Sequence, residues 1–523
     1  AGALAGLVLG YALAVAAVRG AGADLGAGMF RGVFPELQFS PLPALFYLVA
    51  GIVVAIVGAA LPALDAARAA PARALKAGDE QVMFRRLSAA WPGLALLGAG
   101  AALSQLGPVG GLPLFGYAAI ACLLVGTIAL MPRISQFVFK AFPDWNSVCL
   151  TLALAQLRGA PGQAAVSLAA IVASFSLMAA MAIMVASFRQ SVDDWLDRVL
   201  PADLYFRTTQ AGDTGYLEPG FEIRVAALPG VARADFLRSG RILLDAARPP
   251  LVLIARDRAE KAFPLVGKHH GRQPGDPISV WISEAVADLY GFKVGKTVEI
   301  PVNGKNLSFV VAGVFRDYAR QHGAVLMERA DYVALTGDRR VNDAALWLAP
   351  GATRAAVADA LRALPGGGEL EIADAGEIRE ASLRIFDRSF AVTYAMEAVA
   401  VLVGLFGLSS SLGAMLLARR REFGVLRHLG VTRRQIAAML AAEGGLLAIL
   451  GAAAGLAAGA AISLVLVFVV NRQSFNWSME LHWPFGLLFS LVAILIMLAV
   501  LTAILSGREA MGIGPVRAVR EDW

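Results

Sequence analysis

Cysteine is nearly missing: two occur in 523 residues, Cys122 inside an apolar run and Cys149 near an expected cytosolic surface. That number does not support a disulfide framework. Histidine is scarce too, with five in all. The adjacent pair His269-His270 lies in a polar segment with no H-E-x-x-H spacing and no neighbouring cysteine, which argues against a zinc site and for a solvated loop. No G-x-S-x-G elbow is present, so no hydrolase nucleophile is indicated. GFKVGKT, residues 291–297, has three residues between the first glycine and GKT where a phosphate loop has four, and it leads into strand-like VEIPV instead of a helix. ATP binding by this chain is therefore not expected. Charge is sparse at 16%, against 58% hydrophobic residues and a mean hydropathy of +0.64. Such a balance excludes an ordinary soluble protein and identifies a membrane protein.

What is abundant is apolar sequence. A bilayer core of about 30 Å takes roughly 20 helical residues, and eight segments are expected to cross it: 2–18, 43–62, 92–106, 114–131, 162–187, 392–418, 438–470 and 484–506. The third is short and precedes the turn-rich GPVGGLP, so a re-entrant hairpin is its alternative. Short loops on one side carry 17 lysines and arginines, from Arg68 to Arg520, against Arg19, Arg31 and Arg472 on the other. Basic residues resist translocation, so the first set is placed in the cytoplasm. The net charge of +6 is then a matter of topology, and nucleic-acid binding is not expected. The alternation puts residues 189–388 outside as an α+β domain with strand-like DLYFR, PISVWI and ELEIADA and a hairpin turning at Asn303-Gly304. Residues 159–188 carry no charge; 30 helical residues span about 45 Å, so that helix tilts or continues as a stalk.

Between two apolar runs stands RRREFGVLRHLGVTRRQ, residues 419–435, with six arginines. Phe423, Leu426 and Leu429 form an apolar stripe at i, i+3 and i+6, Gly430 suits a helix stop, and Thr432 with Gln435 has the pattern of a capping box. One helix ends, the chain bends and another begins, which predicts a knob projecting from the bilayer. Glu443, nine residues beyond Arg434, is read as an interfacial or helix-bend residue, and Glu397 lies at the outer end of its span. Gly404, Gly407, Gly451, Gly455 and Gly459 allow helices to approach closely.

The chain also repeats itself. AGLVLGYALA carries Gly6 and Gly10 and LGAAAGLAAG carries Gly451 and Gly455; each is followed by a charge-poor loop, a span and a basic tail, PARALK from Pro71 and PVRAVR from Pro515. The chain opens AGALAGLVLG without methionine or a basic leader, so upstream sequence is expected.

REFGVLRHLGVTRRQ with the glycine-rich span after it resembles the cytoplasmic signature of FtsX-like and MacB-like ABC transporter permeases, of the mechanotransmission (type VII) class. LALAQLRGAPGQ resembles their elbow helix, and VWISEAVADLYGFKVGKTVEI with FVVAGVFRDY their extracytoplasmic core domain. The resemblance, closest to long duplicated YbbP-like forms, implies residues 1–80 as the end of a first repeat and 81–147 as a linker with two extra spans. It further implies an elbow and long helix over 148–188, a periplasmic domain over 189–388 and a second permease domain over 389–523.

On the same ground, the resemblance implies a coupling helix of Arg421, Glu422, Phe423, Gly424, Val425, Leu426, Arg427, Leu429 and Gly430 seated in a groove of a separate cytosolic ABC ATPase, a dimer that binds ATP and Mg. Phe423 and Leu426 would be the apolar anchors, Glu422 and Arg427 the charged contacts, and Gly424 the point of close approach. The chain itself would be a non-catalytic subunit without cofactors in the bacterial inner membrane, moving hydrophobic or lipid-linked substrates, with a periplasmic protein as a further partner. An FtsX-type regulator of periplasmic hydrolases is the alternative. An ion-coupled exporter is disfavoured because the middles of the spans lack ionisable groups.

Overall fold

The computed structural model describes residues 2–21, 38–68, 89–143, 147–159, 161–208, 215–217, 220–271 and 275–510. The basic tails PARALK and PVRAVR lie outside the described residues, as do several of the cytoplasmic charges counted above.

Among the described residues six helices precede the first strand: α1 (Gly2–Ala21), α2 (Pro41–Arg68), α3 (Trp91–Leu103), α4 (Leu114–Ala141), α5 (Val148–Gly159) and α6 (Pro161–Val199). Among the described residues five helical stretches are long and apolar enough to cross a membrane: Pro41–Ala60, Leu114–Ala141, Ala164–Val199, Arg433–Phe475 and Phe485–Gly507. The third expected span is only the 13 residues of α3, about 20 Å at 1.5 Å per residue, so it falls short of the core thickness. It forms a tight hairpin with α4, where a side chain at Gly93 or Gly126 would collide with the facing helix, at Leu130 and at the Gly93 carbonyl respectively.

α6 resolves the choice left open between tilt and stalk. Its 39 residues run unbroken past the apolar part into SVDDWLDRV, about 58 Å in all. Opposite it, α11 (Ala375–Ala418) runs back for 44 residues and holds the sixth expected span. Arg379 ties the two outside the membrane, with a bidentate pair to Asp193 at 2.7 Å and a contact to Asp197 at 2.9 Å. The outside domain is accordingly narrower than 189–388, since both ends of that range are stalk.

Between the stalks lies one mixed sheet of ten strands: β1 (Leu204–Thr208), β2 (Val231–Ile242), β3 (Leu251–Arg256), β4 (Leu265–Val266), β5 (Ile278–Ser283), β6 (Thr297–Val302), β7 (Lys305–Phe315), β8 (Ala324–Glu328), β9 (Asp343–Leu348) and β10 (Leu370–Asp374). Their order is β10-β1-β9-β2-β3-β8-β5-β7-β4, with β6 paired to β7. The β3–β8 and β5–β7 pairs are parallel and the others antiparallel. The β6–β7 hairpin turns at Asn303 and Gly304, both at positive φ, as a type I′ turn requires. Short helices α7 (Phe221–Ala226), α8 (Glu284–Tyr290), α9 (Arg329–Thr336) and α10 (Arg354–Ala363) cover the sheet. Ser283 and Thr353 cap α8 and α10 through their hydroxyls.

Two cores fill the domain, one around Phe206, Phe221 and Leu361 and the other around Phe309, Ile300 and Val325. A third joins sheet to stalk: Trp195 of α6 and Phe386 of α11 pack with Phe315, Trp281 and Phe263. This seam packs the sheet against the outer parts of α6 and α11.

Past α11 come α12 (Arg420–His428), α13 (Arg433–Val465), a wider π turn over Leu466–Val470, α14 (Asn471–Phe475) and α15 (Phe485–Ala510). Glycine sets their spacing. A Cβ at Gly451 would meet Ile171 at 2.6 Å and one at Gly455 would meet Phe175 at 3.1 Å, so α13 lies directly on α6. Gly404 opposes Ser174 and Gly407 opposes Ala170, bringing α11 onto another side of α6. Near the start of the chain, Gly6 and Gly10 have no such neighbour within 4 Å.

Candidate functional site

The inner corner of the chain is α12 and its two joints. Arg419 ends the descent of α11 and α12 occupies the next nine residues. Gly430 then adopts φ +94°, a left-handed stop that a side chain would strain. Thr432 opens α13: its hydroxyl accepts from the Gln435 amide at 3.3 Å while the Gln435 side-chain oxygen accepts from the Thr432 amide at 2.8 Å. With both ends of the bend satisfied, α12 is held by geometry as well as by packing.

The apolar stripe divides. Phe423 is 2% exposed and packs inside the chain with Ala153 of α5 and Ile436, Met439 and Leu440 of α13; half-buried Leu426, Cys149 and Leu152 join it. Phe423 and, in part, Leu426 therefore brace α12 against α5, and the buried Phe423 ring is not available as an anchor for a partner, whereas Leu426 keeps part of its surface. The elbow, amphipathic along Ala153, Leu154 and Leu157, claims this surface first. What α12 leaves outward is Val425 at 54% and Leu429 at 77% exposure, with Glu422 exposed and Arg427 partly so. Gly424 is buried, and its carbonyl accepts from His428 Nδ1 at 2.8 Å. The side chain of Arg421 is not among those described.

Below α12 is an ion pair that sequence reasoning missed. Arg419, 7% exposed, donates to Glu443 of α13 at 3.1 Å and to Glu422 at 2.9 Å, and its guanidinium lies 5.3 Å from the Phe423 ring centre. Glu443 is 1% exposed and is the counter-ion of Arg419 at the corner. A lone carboxylate in an apolar helix must find a cation, and that was the available signal. The 24 residues separating the pair concealed which cation it was. The elbow is anchored in turn by Arg158, which donates to the carbonyls of Phe139 at 2.9 Å and Phe142 at 2.6 Å at the inner end of α4.

Two family models fit the two halves of this architecture. Residues 164–364 match the MacB-like periplasmic core domain, and residues 394–515 match the FtsX-like permease C-terminal domain. Together the two matches support an FtsX/MacB-like ABC permease. An uncharacterized ABC transporter permease protein of Mycobacterium tuberculosis is 28% identical over 474 residues, covering 83% of this permease and 53% of the relative. The permease thus spans about half the length of the curated relative it matches. Among solved structures, the extracellular domain of the noncanonic ABC-type transporter YknZ from Gram-positive bacteria aligns with 33% of this permease and 98% of its own length, at 10% identity and a TM-score of 0.24. The FtsX-like match encloses the whole corner, α12 with both its joints, together with Glu443.

No group of three or more His, Cys, Asp or Glu side chains is placed to hold a metal among the described residues. His270 instead pairs with Asp276 at 3.0 Å. The GFKVGKT segment forms the turn into β6, with Gly291 and Gly295 at positive φ, and so presents no helix N-terminus to a phosphate.

Proposed function

We propose that this permease is the membrane subunit of an ABC transporter, and that α12 is the surface its cytosolic ATPase grips. The observation that carries the reading is the outward face of this corner: Val425 on α12 and Leu429 at its C-terminal end stand exposed, on a helix stopped at Gly430, followed by the capped start of α13 and braced from behind by Phe423 and the Arg419–Glu443 pair. A few exposed apolar centres within a charged rim are how protein interfaces concentrate their affinity. Rigid backing allows a push on such a surface to move helices instead of merely bending a loop.

ATP-driven closure of an ATPase dimer would displace α12, and α6, α11 and α13 would carry the displacement to the outside domain. The chain contributes no catalytic residue to hydrolysis in this reading. Cargo of hydrophobic or lipid-linked character fits a machine whose moving domain stands just beyond the outer leaflet. Val425→Glu with Leu429→Glu tests the assignment. Co-purification of an ATPase with the parent chain in mild detergent and its loss in the double variant, at an unchanged melting temperature, is the expected result. Retained ATPase binding in that variant would remove α12 from the interface.

A further inference from the structure

The outer ends of α13 and α15 are joined by residues 476–484, and this segment bonds to the outside domain and the stalk at every second residue. Ser478 donates to the Glu284 carboxylate from its amide at 3.0 Å and from its hydroxyl at 2.6 Å. Its carbonyl accepts from the Tyr318 hydroxyl at 2.9 Å, and its Oγ from Arg316 at 3.2 Å. The Glu480 amide donates to Ser191 Oγ at 3.1 Å, and its carboxylate pairs with Arg316 at 2.9 Å. The His482 amide donates to Ser187 Oγ at 2.9 Å. Positions 478, 480 and 482 share one side because an extended chain alternates its faces, and Ser187 and Ser191 share one side of α6 because they are a helical turn apart.

The seam is dry. Ser187 is 0% and Ser191 5% exposed, Glu284 7% and Trp477 5%, and Trp477 stacks on Phe188 and Phe475. Arg472 adds a bridge to Asp288 at 3.3 Å. Opening the seam would take from Glu284, the first residue of α8, both of its hydrogen bonds from Ser478, and buried polar groups without partners are costly. Continuous helix, from Arg433 to Phe475 through the π turn, links this seam to the corner at the inner membrane surface.

We propose that residues 476–482 are a permanent clasp, fixing the outside domain to the outer ends of α13 and α15. The domain is then driven along two routes, the α6–α11 stalk and α13 itself, and it moves with α13 as one body. The transmission half of this statement rests on the ATPase reading above; the clasp itself does not.

Spin labels at Lys305→Cys, on the exposed β6–β7 turn, and Gly486→Cys, on the exposed start of α15, test it in the full chain in lipid nanodiscs with Cys122 and Cys149 replaced by serine. A single narrow distance distribution is expected, unchanged on adding the ATPase and ATP. It should broaden in Glu284→Ala with Arg316→Ala. Ser187→Ala with Ser191→Ala is the gentler variant, in which the amides of 478–482 should exchange hydrogen at least tenfold faster while exchange in the sheet stays as in the parent. A broad distribution in the parent, a shift with ATP, or unchanged exchange in the serine variant overturns the clasp. Should no ATPase bind the parent, the proposed function fails and the measurement without nucleotide still decides the clasp.

Discussion

Arg419 and Glu443 show how much a single pair can settle. Each is nearly inaccessible, so removing one partner leaves an uncompensated charge, at about 3–5 kcal/mol, whereas replacing both with apolar residues of similar volume is close to neutral. Arg419→Ala should therefore lower the melting temperature of the purified chain by several degrees. Arg419→Met with Glu443→Met should recover most of that loss, and a thermal-shift double-mutant cycle reads the difference directly. Phe423→Ala belongs with the destabilising changes, at about 3–5 kcal/mol for a deleted core aromatic. Val425 and Leu429, exposed as they are, can change without that penalty. The same short helix thus separates residues that hold the chain together from residues free to hold a partner.

At the scale of elements, glycine and serine decide which helices touch. Gly455 brings α13 against Phe175, and Gly459 brings it within 2.7 Å of the Ser176 carbonyl, as measured from the position a Cβ would take. Gly455→Leu should wedge α13 from α6 and lower the melting temperature, with cysteine cross-linking between the two helices falling in parallel. Gly6→Leu, at a position with open space around it, should leave both unchanged. The clasp also has a defined pH response. The hydrogen bond from Arg316 holds the Glu480 carboxyl below its ordinary value of 4.5; Arg198 and His482 act in the same direction, and burial opposes them. A depressed carboxylate contributes stability above its unfolded value and loses it as pH falls through the folded value. The inter-label distance should accordingly be constant from pH 8 to pH 6 and broaden only below about pH 4.5.

At the scale of the molecule, the outside domain depends on its stalks. Phe315, Trp281 and Phe263 are covered by Trp195 and Phe386, which belong to α6 and α11. A fragment of residues 186–392 should melt cooperatively, and one trimmed to 200–374 should melt at lower temperature and bind a hydrophobic dye, because the trimming uncovers that core. Circular dichroism melts of the two fragments compare them.

Much of this was legible in the sequence. Long apolar runs and the one-sided distribution of arginine determine the membrane class and the orientation, because both depend on transfer free energies that are local to each segment. The hairpin at Asn303-Gly304, the stop at Gly430 and the cap at Thr432 follow from backbone preferences within a few residues. The resemblance of 419–435 to a permease signature is likewise a property of neighbours in the chain. Tertiary structure alone decided that Phe423 faces the elbow while Leu429 faces outward, that Glu443 answers Arg419, and that Ser478 lies against Glu284. These are contacts between residues tens to hundreds of positions apart. Periodicity shows that a helix has an apolar side, but which neighbour covers that side is fixed only when the other helices have taken their places.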